Sequence, residues 1–126
     1  MCGIIGIYDR EVKSVDKEIL DKMTDIVSHR GPDGRGIWIN KSVGFGHRRL
    51  SILDLTEAGE QPMKTKDSNF VITYNGEIYN YKELKQNLNN KKGFWKSSSD
   101  TEVILECIAQ YGFYNTIKKL NGMFAI

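Results

Sequence analysis

Cys2 occupies the position with the most distinctive chemistry in this chain. Removal of Met1, which the small residues Cys2 and Gly3 permit, would make it the first residue and set a free α-amine beside its thiol. Both groups titrate within about two units of neutrality. The amine, directly or through a water, could then serve as the base for the thiol, with no histidine required. On position alone, an ordinary buried cysteine is the plainer reading. Asn75-Gly76-Glu77 is the second candidate. Asn-Gly is a strong hairpin pair. A side-chain amide and a backbone N–H one residue apart can equally aim at one oxygen, as an oxyanion hole requires, and glycine lets that oxygen approach. The following Ile78-Tyr79-Asn80-Tyr81 runs toward a helix rather than a returning strand, so both readings stay open.

Three further groups carry charge suited to a small zwitterion. Arg48-Arg49 could clamp a carboxylate in bidentate fashion or sit as a solvated pair. Asp100 and Glu102 open a helix, where acids complement the dipole; Asp100 could cap that helix or hold an ammonium group. Arg30-Gly31-Pro32-Asp33-Gly34 is a polar turn to which residue type alone assigns no chemistry.

The elements that must position these residues follow from periodicity. Ile4–Tyr8 reads as a strand. Val15, Ile19, Met23, Ile26 and Val27 recur every three to four residues, the pattern of a helix face, with Ser14 as its N-cap and an end near Ser28. Residues 36–40 and 43–47 read as strands joined by a tight turn at Asn40-Lys41. Residues 56–62 read as a loop, and Phe70–Tyr74 as the clearest strand, broken by Asn75-Gly76. Asn80 is placed to cap a helix through Leu88 with Glu83 as capping-box partner. Asp100 is placed to cap another through Tyr111, stopped by Gly112. A short helix near Ile117 and Leu120 and a strand over 122–126 complete the pattern. Strands and helices mix without regular alternation, which gives an α+β class.

Composition narrows the partners. The chain has 126 residues, of which 40% are hydrophobic and 27% charged, with a formal net charge of +2. That is enough for one core and too small a surplus to suggest a nucleic acid. No apolar run nears the roughly 20 residues needed to span a bilayer, and the N-terminus lacks a signal-peptide pattern. Two cysteines and two histidines supply neither a disulfide framework nor a metal site, so no metal and a reducing, cytoplasmic setting are expected.

Six segments occur in order: Met1-Cys2-Gly3-Ile4-Ile5-Gly6, His29-Arg30-Gly31-Pro32-Asp33-Gly34, Arg49-Leu50-Ser51-Ile52, Gln61-Pro62, Asn75-Gly76-Glu77-Ile78-Tyr79-Asn80 and Ser99-Asp100-Thr101-Glu102-Val103-Ile104. Together they resemble the glutaminase domain of asparagine synthetase, a class II glutamine amidotransferase. The resemblance runs from Met1 to Ile126. It implies an N-terminal nucleophile hydrolase fold, a four-layer αββα sandwich. It also implies Cys2 as the nucleophile that forms a glutamyl thioester, with Asn75 and Gly76 as the oxyanion pair. Arg49 would bind the substrate α-carboxylate, Glu77 and Asp100 would surround its α-amino group, and backbone carbonyls near Ile52 and Leu53 would add contacts. Arg30 to Gly34 takes a structural role near the site.

A complete domain of this type is expected to run to roughly 180–200 residues, so the C-terminal part is expected to be missing. No glycine-rich phosphate loop occurs. ATP and magnesium are therefore expected only for a synthetase domain in a longer protein, and this chain carries no cofactor of its own. The expected function is hydrolysis of glutamine to glutamate and ammonia, the ammonia passing to ATP-activated aspartate in the full-length enzyme. Two alternatives remain: a sugar or peptide acceptor, or a truncated glutamine-binding domain without turnover. A homodimer is left open.

Overall fold

A computed structural model describes residues 2–11, 13–52, 54–88 and 95–126. Strands β1 (Gly3–Tyr8), β2 (Gly34–Asn40) and β3 (Val43–Arg49) form an antiparallel sheet in the order β1-β3-β2. Both outer strands register on β3, with Gly3 opposite Arg48 and Gly34 opposite Arg49. The β2–β3 turn falls at Lys41, whose φ is 53°, and the two strands run two residues longer at the site end than periodicity predicts.

Helix α1 (Lys17–Ile26) lies on one face of this sheet. Its cap is Asp16, not Ser14: the Asp16 carboxylate accepts the N–H groups of Glu18 and Ile19 at 2.8 and 3.4 Å. Val15 stays outside the helix and is buried with Leu20 against Gly44, a hydrophobic staple across the N-terminus. The buried face is also turned one residue from the predicted one. Leu20 and Thr24 are fully buried, while Ile19 and Ile26 are 53% and 74% exposed. The reason is Gly46. A Cβ there would collide with the Thr24 hydroxyl, so the helix settles close to the sheet along that line. Thr24 satisfies its hydroxyl on Leu20 O at 2.7 Å, which makes burial of a polar residue affordable.

The sheet's other face meets a second β layer. Strands β4 (Met63–Lys64) and β5 (Val71–Ile72) pair antiparallel, as do β6 (Asn75–Ile78) and β7 (Gly122–Ala125). Contacts between the layers include Thr73 Oγ1 on Gly46 O at 3.4 Å and His47 Nε2 on Tyr74 O at 3.2 Å. Helices α2 (Tyr81–Asn87) and α3 (Asp100–Tyr111) close the outer side, followed by α4 (Phe113–Ile117). The main core, including Ile72, Tyr74, Ile78, Leu84 and Ile104, lies beneath α2 and α3. The layers thus run helix, sheet, strands, helices, in agreement with the αββα expectation.

Four local expectations are corrected. Phe70–Tyr74 is not one strand: the ladder covers only Val71–Ile72. Asn75-Gly76 does not break a strand but begins β6, paired to β7 with Asn75 opposite Ala125. Asn80 does not cap α2 with its side chain. Its amide instead bridges Lys119 O and Asn121 N at 2.9 and 3.0 Å, holding the segment that enters β7. Ser99, not Asp100, caps α3, accepting from Glu102 N.

Candidate active site

The antiparallel register brings the start of β1 beside the end of β3, so Cys2 and Arg49 come from neighbouring strands of one sheet. The second layer adds Asn75, Gly76 and Glu77 from β6, and the first residue of α3 adds Asp100. All of these, with Ile52, line one cavity of about 170 Å³. That is below the roughly 300–1,000 Å³ typical of drug-sized pockets and on the scale of a single amino acid. Of the residues expected from sequence, Leu53 lies outside those described.

Cys2 is half-buried. Its Sγ accepts the Leu50 N–H at 3.4 Å, and its S–H faces Leu50 O at 3.7 Å. Its own carbonyl accepts from Arg30 Nε at 3.1 Å. Asp33 takes the N–H of Ser51 on its carboxylate at 2.8 Å and donates its own N–H to Arg49 O at 2.9 Å. The segment from Arg30 to Gly34 therefore ties the start of β1, the end of β3 and the following loop together. These contacts are structural, as expected of it.

Arg49 is held from behind: Nη1 donates to Thr56 O at 2.8 Å and Nη2 to Asp54 O. A guanidinium has five N–H donors, so three remain for a ligand. The loop that receives Arg49 is itself fixed through Asp54. That buried carboxylate accepts from the hydroxyl and N–H of Thr56 at 2.6 and 2.9 Å and from Ser98 N at 2.8 Å. These bonds, the Thr56 hydroxyl first, hold it well below the usual carboxylate range.

Gly76 sits against β7: a Cβ there would press on Met123 O and Phe124. The Asn75 amide makes no side-chain hydrogen bond among the described residues, so it is free to face the cavity's contents. Asp100 is 4% exposed. Its Oδ2 accepts the Tyr74 hydroxyl at 2.8 Å and Ile78 N at 3.0 Å. One carboxylate oxygen is thus committed to both ends of β6. Burial, then Asp100, pushes the Tyr74 phenol above its ordinary value, so it stays a neutral donor.

A family model described as "Glutamine amidotransferase domain" matches residues 1–126. The chain belongs to this family. The amidotransferase domain is 42% identical over 130 residues to asparagine synthetase (glutamine-hydrolysing) 1 of Bacillus subtilis, covering 99% of this chain and 20% of that protein. It is 43% identical over 129 residues to asparagine synthetase (glutamine-hydrolysing) 2 of the same organism, covering 100% of this chain and 17% of that protein. Over 138 residues it is 37% identical to amidase chry2 of Gibberella zeae, covering 99% of this chain and 20% of that protein. The chain therefore spans about a fifth of the length of these relatives.

Several residues of this cavity carry no site signal in the sequence, Tyr74 and Gln61 among them. Tyr74 reads as part of a strand, and Gln61 stands out only as half of a Gln-Pro pair; both line the cavity. Among the described residues no cluster of three His, Cys, Asp or Glu side chains could hold a metal ion, and no helix is long and apolar enough to cross a membrane.

Proposed function

We propose that this amidotransferase domain hydrolyses glutamine and supplies ammonia within an asparagine synthetase. The observation that carries the reading is the convergence of a thiol, an arginine, an amide–glycine pair and two carboxylates on one amino-acid-sized cavity. Glutamine presents the matching set: a carboxylate for Arg49, an ammonium group for Glu77 and Asp100, and a side-chain amide carbonyl for Asn75 and Gly76. A backbone carbonyl near Ile52, which lines the cavity, supplies a further contact.

In this reading Met1 is removed and the Cys2 α-amine takes the thiol proton. The sulfur bonds to the amide carbon while the carbonyl π pair moves to oxygen, where the Asn75 side chain and the Gly76 N–H stabilise the negative charge. Collapse breaks the C–N bond as the ammonium form of the amine returns a proton to the leaving nitrogen, which departs as ammonia. Water then adds to the thioester carbon, the C–S bond breaks, and glutamate leaves. Aspartate activation by ATP would belong to a synthetase domain outside residues 1–126, in the cytoplasm.

The test is glutamate release from glutamine by the complete gene product, compared with Cys2→Ala, together with asparagine formation from aspartate and ATP. Loss of glutamate release in the variant is expected. Equal rates in both would overturn the glutaminase reading, and glutamate release without asparagine would overturn only the acceptor.

A further inference from the structure

The segment that carries the proposed oxyanion pair leaves one sheet and joins another across two residues, Thr73 and Tyr74. Val71–Ile72 ladder with β4, and Asn75–Ile78 ladder with β7. Thr73 and Tyr74 lie between them, 7% and 2% exposed, and belong to neither ladder; Tyr74 is the one next to the oxyanion pair. A buried backbone that loses its ladder partners needs others, at a cost of about 1–3 kcal/mol for each group left unpaired. Side chains provide them. The Tyr74 N–H donates to Gln61 Oε1 at 2.6 Å, and Tyr74 O accepts from His47 Nε2 at 3.2 Å. The Gln61 amide is oriented in turn: its Nε2 donates to Thr101 Oγ1 at 3.3 Å, on the first turn of α3.

We propose that Gln61 is a positioning residue for the oxyanion pair, fixing the Thr73–Tyr74 peptide, one residue before Asn75, through the Tyr74 N–H. The proposal rests on the glutaminase reading above. Gln61 is 7% exposed and both ends of its amide are engaged, so it acts on the strand rather than on the ligand. Oxyanion donors work only within a few tenths of an ångström, about 2.7–3.1 Å from the developing charge. Asn75 is the next residue after the peptide that Gln61 holds, and the Gly76 N–H follows one residue on. Arg49 on β3 and Asp100 on α3 stand on other elements, and loosening that peptide leaves them where they are. The transition state therefore loses stabilisation that the bound ground state does not, which appears in kcat rather than KM.

The experiment is steady-state glutamine hydrolysis by the complete gene product carrying Gln61→Met, which keeps the length of the side chain and removes its amide, and Gln61→Glu, which keeps an acceptor for the Tyr74 N–H. Inhibition by glutamate γ-semialdehyde is measured alongside. Its carbonyl carbon takes the Cys2 sulfur, and the new oxygen lies on the same donors. Gln61→Met is expected to lower kcat about 10–100-fold, less than the complete loss of a donor, with KM within about threefold. Aldehyde affinity should fall by a similar factor, and Gln61→Glu should recover most of both. An unchanged kcat, a loss confined to KM, or an unchanged aldehyde affinity would overturn the proposal. If Gln61→Met does not fold, Thr101→Val frees the far end of the Gln61 amide. It is then expected to lower kcat about 3–10-fold at constant KM, and an unchanged kcat overturns the proposal equally. A wild-type protein that releases no glutamate would instead refute the underlying reading, and the role of Gln61 with it.

Discussion

His47 shows how a single side chain near the site couples folding to pH. It is 1% exposed, its Nε2 meets Tyr74 O, and its Nδ1 has no partner among the described residues. Burial pushes its imidazole from 6.5 down to about 4; the Tyr74 carbonyl opposes this, and Arg49 adds to the lowering. The neutral ring is therefore the folded form, with Nε2 assigned as the protonated nitrogen by the carbonyl it faces. Between pH 6.5 and 4 the unfolded chain binds a proton that the folded one refuses. Stability is full above 6.5 and falls as the pH drops toward 4, by on the order of 3 kcal/mol from this group. Asp54, held low, acts in the same direction, but only below its ordinary 3.8. Glu106, pushed up chiefly by burial, acts in the opposite direction. Its folded form takes a proton first, so stability is gained as the pH falls through its folded pKa. Urea midpoints of wild type and His47→Gln, measured from pH 7.5 to 4, isolate the histidine: the difference between them should change through the 6.5–4 window. Parallel curves would show that His47 does not couple folding to pH.

At the scale of elements, the decisive feature is that β6 belongs to β7 and not to the strand before it. Gly76 is what allows it. An added methyl would press on Met123 O and Phe124 across the pair. Gly76→Ala is expected to destabilise the chain by about 1–3 kcal/mol through overpacking and to cut glutamine hydrolysis with it. Gly6→Ala is the control, since its methyl would meet only the Phe45 ring at 3.9 Å. Equal thermal melting of the two variants would contradict this account of the pair. The same feature marks what could be read in the sequence and what could not. Cys2, Arg49, Asn75, Gly76 and Asp100 were singled out by the ordered segments that carry the family resemblance, and the structure brings them to one cavity. The α1 face, the end of β5 at Ile72, the bridging role of Asn80 and the engagement of Asp100 with Tyr74 and Ile78 were not. Each is decided by a partner more than ten positions away: Gly44 or Gly46, Gln61 and His47, Lys119, and Tyr74. Local periodicity carries no record of such partners. The Tyr74 hinge is the sharpest case, since β-propensity favours a continuous strand through Thr73 and Tyr74 while side chains from Gln61 and His47 take the backbone groups the ladder would have used.

The molecule as a whole is unevenly finished. A self-contained protein of this mass would expose roughly 6,800 Å², and this chain exposes 7922 Å². Apolar side chains contribute at one end: Phe113 and Tyr114 on α4 are 55% and 72% exposed, and Met123, Phe124 and Ile126 on or beside β7 are 68%, 37% and 39% exposed. Scattered apolar residues need no explanation, but several gathered beside a two-stranded ribbon leave both an apolar surface and unpaired backbone groups open. The site shares this end, because Met123 lines the cavity and β7 holds β6 in place. Produced by itself, the 126-residue chain is therefore expected to elute well above its 14.4 kDa on size exclusion and to bind a hydrophobic dye. Phe113→Lys with Tyr114→Lys should shift it toward the monomer, since these two side chains lie outside both the cavity lining and the buried core. A wild-type chain that runs as a dye-silent monomer would mean that this apolar end does not drive self-association, and the lysine pair would then leave its elution unchanged.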